Sequence, residues 1–146
     1  MIPTMRGLEL AMAFCDVSVM TGLTMALVKR STDAEENDTL EFESVCGRKF
    51  VLFHDRDCCE SVTIDDIAGD LEDLVGSPLT LSEEVSSADM GYQNSKEDGD
   101  ESFTWTFYRF ATAKGYVTVR WYGTSNGYYS ESVSFAEKGS ALWPKD

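Results

Sequence analysis

Seven consecutive residues, His54-Asp55-Arg56-Asp57-Cys58-Cys59-Glu60, gather imidazole, thiol and carboxylate groups in one short stretch. Such a set offers metal ligands, and His54 with Cys58 or Cys59 offers a base and a nucleophile. The spacing favours neither chemistry. Structural zinc takes four ligands from spaced pairs such as Cys-x-x-Cys, and Cys15, Cys46, Cys58 and Cys59 form no such pair. Adjacent side chains of an extended chain point to opposite sides, so one of the two neighbouring thiols at most joins His54. His54 is the chain's one histidine, and four or five residues separate it from those thiols. That separation at a strand end does not fix a hydrogen bond. The expectation is one thiol packed in the core and His54 bonded to the turn. No catalytic residue, metal or cofactor is assigned, with His54 and Cys58 the candidates a metal would use.

The next stretch concentrates acid. Asp65, Asp66, Asp70, Glu72 and Asp73 accompany an apolar stripe of Ile64, Ile67, Leu71, Leu74 and Val75. Spacings of three, four, three and one predict a helix laid on a sheet. Ser61 or Thr63 would cap it, and Asp65 and Asp66 would meet the positive end of its dipole. Gly76 and Ser77-Pro78 would end it. Its carboxylates form a candidate partner-binding face, or simply a solvated one.

A second candidate surface lies in two aromatic segments. Alternation separates Phe103, Trp105, Phe107 and Arg109 from Thr104, Thr106, Tyr108 and Phe110. It likewise separates Tyr116, Thr118, Arg120 and Tyr122 from Val117, Val119 and Trp121. Arginine beside tyrosine suits interface hot spots and nucleotide stacking. Trp105, Arg109, Tyr116, Arg120 and Tyr122 are therefore an alternative ligand-binding set.

These residues must be positioned by the rest of a chain of 146 residues, which is the length of one domain. The apolar content of 42% suits a buried core. The net charge of −14 argues against direct contact with nucleic acid or an anionic membrane. Residues 33–101 hold 21 acidic and 4 basic side chains, whereas 102–146 hold 3 and 5, so the protein is electrically two-sided. The cysteines suggest reduced thiols rather than a disulfide framework. Glu9 and Asp16 interrupt the apolar start, which speaks against a membrane span or secretion signal.

Strands are predicted at Leu23–Lys29, Thr39–Ser44, Lys49–His54, Leu79–Ser82, Ser102–Ala111, Tyr116–Tyr122 and Ser130–Phe135. With the helix they predict an α+β fold, a mostly antiparallel sheet of six or seven strands with one main helix packed on one face. Residues 1–21 read as an N-terminal extension, 22–136 as the single domain and 137–146 as a loose C-terminal tail. Ser86–Asp100 reads as the one long loop.

Four blocks carry a resemblance. They are His54-Asp55-Arg56-Asp57-Cys58-Cys59-Glu60; Ile67-Ala68-Gly69-Asp70-Leu71-Glu72-Asp73-Leu74-Val75-Gly76-Ser77-Pro78; Ser102-Phe103-Thr104-Trp105-Thr106-Phe107-Tyr108; and Gly115 to Glu131 with Arg120-Trp121-Tyr122-Gly123 inside it. Across residues 22–136 the chain resembles a family of small bacteriophage proteins of unknown function. The resemblance implies a phage product acting in host cytoplasm and assigns no site residue. Small acidic phage proteins resemble counter-defence factors, among them CRISPR inhibitors. The expected function is non-enzymatic: an acidic, nucleic-acid-mimicking face made by Asp65, Asp66, Asp70, Glu72 and Asp73 blocks a host protein's basic nucleic-acid-binding surface. Alternatives are a sponge for a small signalling nucleotide and a metal- or thiol-dependent enzyme. A homo-oligomer is compatible with the sequence.

Overall fold

The computed structural model describes residues 13–85 and 102–138. The loop read at Ser86–Asp100 lies outside the described residues. Nine strands are present among the described residues: β1 (Ala13–Phe14), β2 (Met25–Thr32), β3 (Asp38–Ser44), β4 (Lys49–Phe53), β5 (Ser61–Ala68), β6 (Leu81–Val85), β7 (Ser102–Thr112), β8 (Gly115–Ser125) and β9 (Ser134–Lys138). All strand pairings within the two sheets are antiparallel, with orders β1-β9-β4-β3-β2 and β5-β8-β7-β6.

The two sheets share one core. Val28, Leu40, Phe42, Phe50, Leu52 and Phe135 come from the five-stranded sheet. Val62, Ile64, Tyr108, Phe110, Val117, Val119 and Trp121 come from the other. Phe42 and Phe110 meet between them, with ring centroids 5.3 Å apart. Val17 and Met20, in a short 3-10 turn (Val17–Met20), also lie in this core.

This architecture corrects the α+β expectation. Among the described residues the only helical pieces are two four-residue 3-10 turns, Val17–Met20 and Leu71–Leu74. The expected main helix is instead strand β5, a turn and the second 3-10 piece. A β-bulge produces the misleading spacing. Ile64 pairs with Trp121 and Asp66 with Arg120, so Asp65 is an extra residue. Such an insertion reverses which alternate residues face inward. Val62 and Ile64 point to the core before the bulge, and Ile67 packs against it after the bulge. The three-residue step between Ile64 and Ile67 therefore imitates a helix. Gly69 then turns the chain with a φ of +108°, and Asp70 caps the 3-10 turn by accepting from the Glu72 N–H at 3.0 Å.

The sheets are also tied at one edge. Arg30 donates to the Ile64 carbonyl at 3.1 Å, and the Ile64 N–H donates to Asp38 Oδ2 at 2.8 Å. These bonds occupy edge groups of β5 that strand pairing leaves free.

Candidate functional site

The seven-residue stretch forms a loop closed by a buried pair. His54 is 6% exposed and Glu60 1%. His54 Nε2 lies 2.7 Å from Glu60 Oε2, and Nδ1 lies 2.6 Å from the Ser132 carbonyl oxygen. Glu60 also accepts from the N–H groups of Asp57 at 2.7 Å and Cys58 at 2.9 Å. Burial opposes the charge on Glu60, but these N–H groups and His54 outweigh it and hold the carboxyl down to about 2. Each ring nitrogen thus lies within hydrogen-bond distance of an oxygen. The pair bonds the Asp57 and Cys58 N–H groups and the Ser132 carbonyl, and so ties the loop to the segment before β9.

Cys58 and Cys59 are joined by a disulfide, and both are exposed. This corrects the expectation of reduced thiols at these two positions and of one thiol in the core. Neither sulfur is aligned with His54 as a nucleophile, because both imidazole nitrogens are engaged elsewhere. Among the described residues no group of three or more His, Cys, Asp or Glu side chains is arranged to hold a metal ion.

Cys15 and Cys46 are free thiols. The Ser44 hydroxyl, 3.1 Å from its sulfur, lowers the pKa of exposed Cys46. Desolvation, and then Glu137, raises that of half-buried Cys15. Iodoacetamide should therefore modify Cys46 about tenfold faster than Cys15 in the native protein, as read by peptide mass spectrometry. Equal rates would contradict this ranking.

The structure disperses the five expected acidic contacts. Asp65 accepts from Arg120 Nε at 2.7 Å. Asp70 is spent on its cap. Asp73 is packed against the β7–β8 hairpin, where its carbonyl accepts from Thr112 Oγ1 at 2.5 Å. Asp66 and Glu72 are exposed. The acids do not share a helix face, and a further set of carboxylates lies in a neighbouring turn. Asp33, Glu35 and Glu36, all exposed, sit in the turn between β2 and β3. The Asp38–Ile64 and Arg30–Ile64 bonds set the end of that turn beside the middle of β5. In the sequence these residues stand out only as part of the acidic 33–101 region. Their charge was visible, but their neighbourhood was not.

The alternative set does share a face. Trp105 stands opposite Tyr122 on neighbouring strands, with ring centroids 4.3 Å apart. Arg120 lies over the Trp105 ring at 5.4 Å. Phe107, Val85 and Trp105 form a second apolar cluster, with Phe103 and Tyr122 packed against it. Arg109 donates to Glu83 at 2.9 Å, and Arg120 is held by Asp65. Tyr116, opposite Ala111, is 49% exposed and its side chain hydrogen-bonds Arg109. Both arginines are thus committed to carboxylates, and Trp105 is 7% exposed. This geometry does not favour a phosphate clamp with a stacking platform.

A groove of about 260 Å³ lies on the five-stranded sheet, lined by Leu27, Lys29, Glu41, Glu43, Lys49 and Lys138 among others. Lys29 stands opposite Glu41, and Glu43 opposite Lys49. Such cross-strand opposite charges stabilise the sheet.

No helix among the described residues is long and apolar enough to cross a membrane. No curated protein and no solved structure matches the chain. Residues 18–135 match a family described as a domain of unknown function, DUF7448. With strands β2 to β8, the His54–Glu60 loop and both aromatic segments inside that span, the chain belongs to this DUF7448 family.

Proposed function

We propose that the chain is a non-enzymatic binding domain whose acidic seam occupies a basic, nucleic-acid-binding surface of a host protein. In the phage setting that the sequence resembles, it acts in host cytoplasm as a counter-defence inhibitor of the anti-CRISPR type. One observation carries the reading: the Asp38–Ile64 bond ties the end of the β2–β3 turn, which carries exposed Glu35 and Glu36, to β5, which carries exposed Asp66. The −14 net charge adds long-range attraction toward a basic channel that ordinarily receives phosphates. The chain's one histidine is absorbed in a buried pair, which leaves imidazole chemistry without its group.

The test is capture of a host nucleic-acid-binding protein on the tagged full-length chain, followed by a salt gradient. Glu35→Lys, Asp66→Lys and Glu72→Lys together should weaken the complex at least about tenfold. Raising salt from about 0.1 M to about 0.5 M should release the partner, because exposed charges are screened over that range. Capture indifferent to both would overturn the reading.

A further inference from the structure

The exposed Cys58–Cys59 disulfide and the buried pair beneath it have a use that acidic binding does not require. We propose that Cys58–Cys59 is a thiol–disulfide exchange site for a dithiol reductant, whose redox state locks or releases the loop from His54 to Glu60.

The arrangement couples sulfur chemistry to the fold through named contacts. A bond between adjacent cysteines closes a small ring that includes their shared peptide unit, so it restricts the backbone at residues 58 and 59. The Cys58 N–H donates to Glu60 Oε1 at 2.9 Å, and the Asp57 N–H donates to Glu60 Oε2 at 2.7 Å. Glu60 in turn holds His54, and His54 holds the Ser132 carbonyl. Cys58, Glu60, His54 and Ser132 therefore form one chain of contacts from an exposed disulfide to the segment that enters β9. Both cysteines are exposed, so a reductant reaches the sulfurs without unfolding the domain. Cys15 and Cys46 are not in this chain, and Cys46 lies across the fold in the β3–β4 turn.

The exchange balances without further reactants. A thiolate of the dithiol attacks one sulfur, forming a mixed disulfide and expelling the other sulfur as a thiolate, which takes up a proton. The reductant's second thiol then attacks the mixed disulfide and releases the remaining cysteine. The protein disulfide gains two electrons and two protons, and the dithiol loses them to become a disulfide. Reduction removes the ring, and residues 57–59 recover backbone freedom. The Asp57 and Cys58 N–H groups then leave Glu60 for part of the time.

The test uses the full chain. Purified without reductant, the protein should titrate with two thiols, Cys15 and Cys46, of its four cysteines. After reduced dithiothreitol it should titrate with four. Amide hydrogen exchange at Asp57 and Cys58 should then accelerate at least about tenfold, with the β7–β8 core unchanged. Cys59→Ser should exchange like reduced protein with or without reductant. Cys15→Ser with Cys46→Ser should keep the wild-type response. Four thiols in protein purified without reductant, or unchanged exchange at Asp57 and Cys58 on reduction, would overturn the proposal. Reduction of the wild-type chain decides the matter even where a variant fails to fold.

Discussion

Glu60→Ala is expected to lower folding stability by about 3 kcal/mol, the cost of leaving buried hydrogen-bonding groups without their partner. The substitution strands three donors at once: His54 Nε2 and the N–H groups of Asp57 and Cys58. His54 is 6% exposed, so water replaces the lost carboxylate poorly. Urea titration at neutral pH measures the loss as a lower midpoint at unchanged slope. A midpoint equal to that of the native chain would show that the loop contributes nothing to folding.

The same carboxylate sets an acid limb. Its folded value of about 2 lies below its ordinary value of 4.5. A lowered folded value means that the unfolded chain binds the proton more readily as pH falls. The stability Glu60 contributes is therefore fully present above about 4.5 and drains away as pH falls toward about 2. Asp33, Glu131 and Glu137 also have lowered values and add to the limb. The difference between native chain and Glu60→Gln isolates the Glu60 share. It should be largest near neutrality and shrink through this window. Parallel acid curves for the two proteins would contradict the assignment.

Gly69→Ala is expected to cost about 2–3 kcal/mol, through backbone strain joined to a steric clash. Gly69 has a φ of +108°, and an added Cβ would sit 2.5 Å from the Tyr116 carbonyl oxygen. That oxygen belongs to the backbone of β8, so relief requires moving the strand. Gly127 is the control, since its φ is +94° but nothing lies within 4 Å of an added Cβ. Gly127→Ala should cost about 1 kcal/mol, from conformation alone. Thermal melts of the two variants separate crowding from strain, and equal losses would remove the crowding argument.

Gly69 also marks where sequence reading parted from the fold. Inside a helix it would be a mild defect, whereas here it is the corner between β5 and a 3-10 turn. The residues around it are compatible with either form until β8 is present. Once β8 pairs with β5, Asp65 becomes the extra residue of a bulge, and the apolar positions change parity. Alternation elsewhere was legible because it is local. Tyr108 and Phe110 enter the main core, while Trp105 and Phe107 face the other way, as their alternation predicts. Strands read at Thr39–Ser44 and Lys49–His54 are β3 and β4 with ends shifted by one residue. Those read at Ser102–Ala111 and Tyr116–Tyr122 are β7 and β8, slightly longer.

The candidate sites divide in the same way. Sequence could name His54, Cys58, Cys59 and Glu60 as one cluster, but not the bonds among them. Glu60 reaches His54 only because the loop closes, and Ser132 arrives from 78 residues away. The arginines Arg109 and Arg120 invited a phosphate until cross-strand neighbours supplied Glu83 and Asp65.

By itself, then, the sequence determined the strand alternation, the two hairpins β3–β4 and β7–β8, and the uneven charge, since these depend on composition and on near neighbours. The tertiary structure alone decided the bulge, the partners of each charged group and the meeting of the β2–β3 turn with β5. Those features depend on which distant strands pair and in what register, and short-range periodicity carries no information about either.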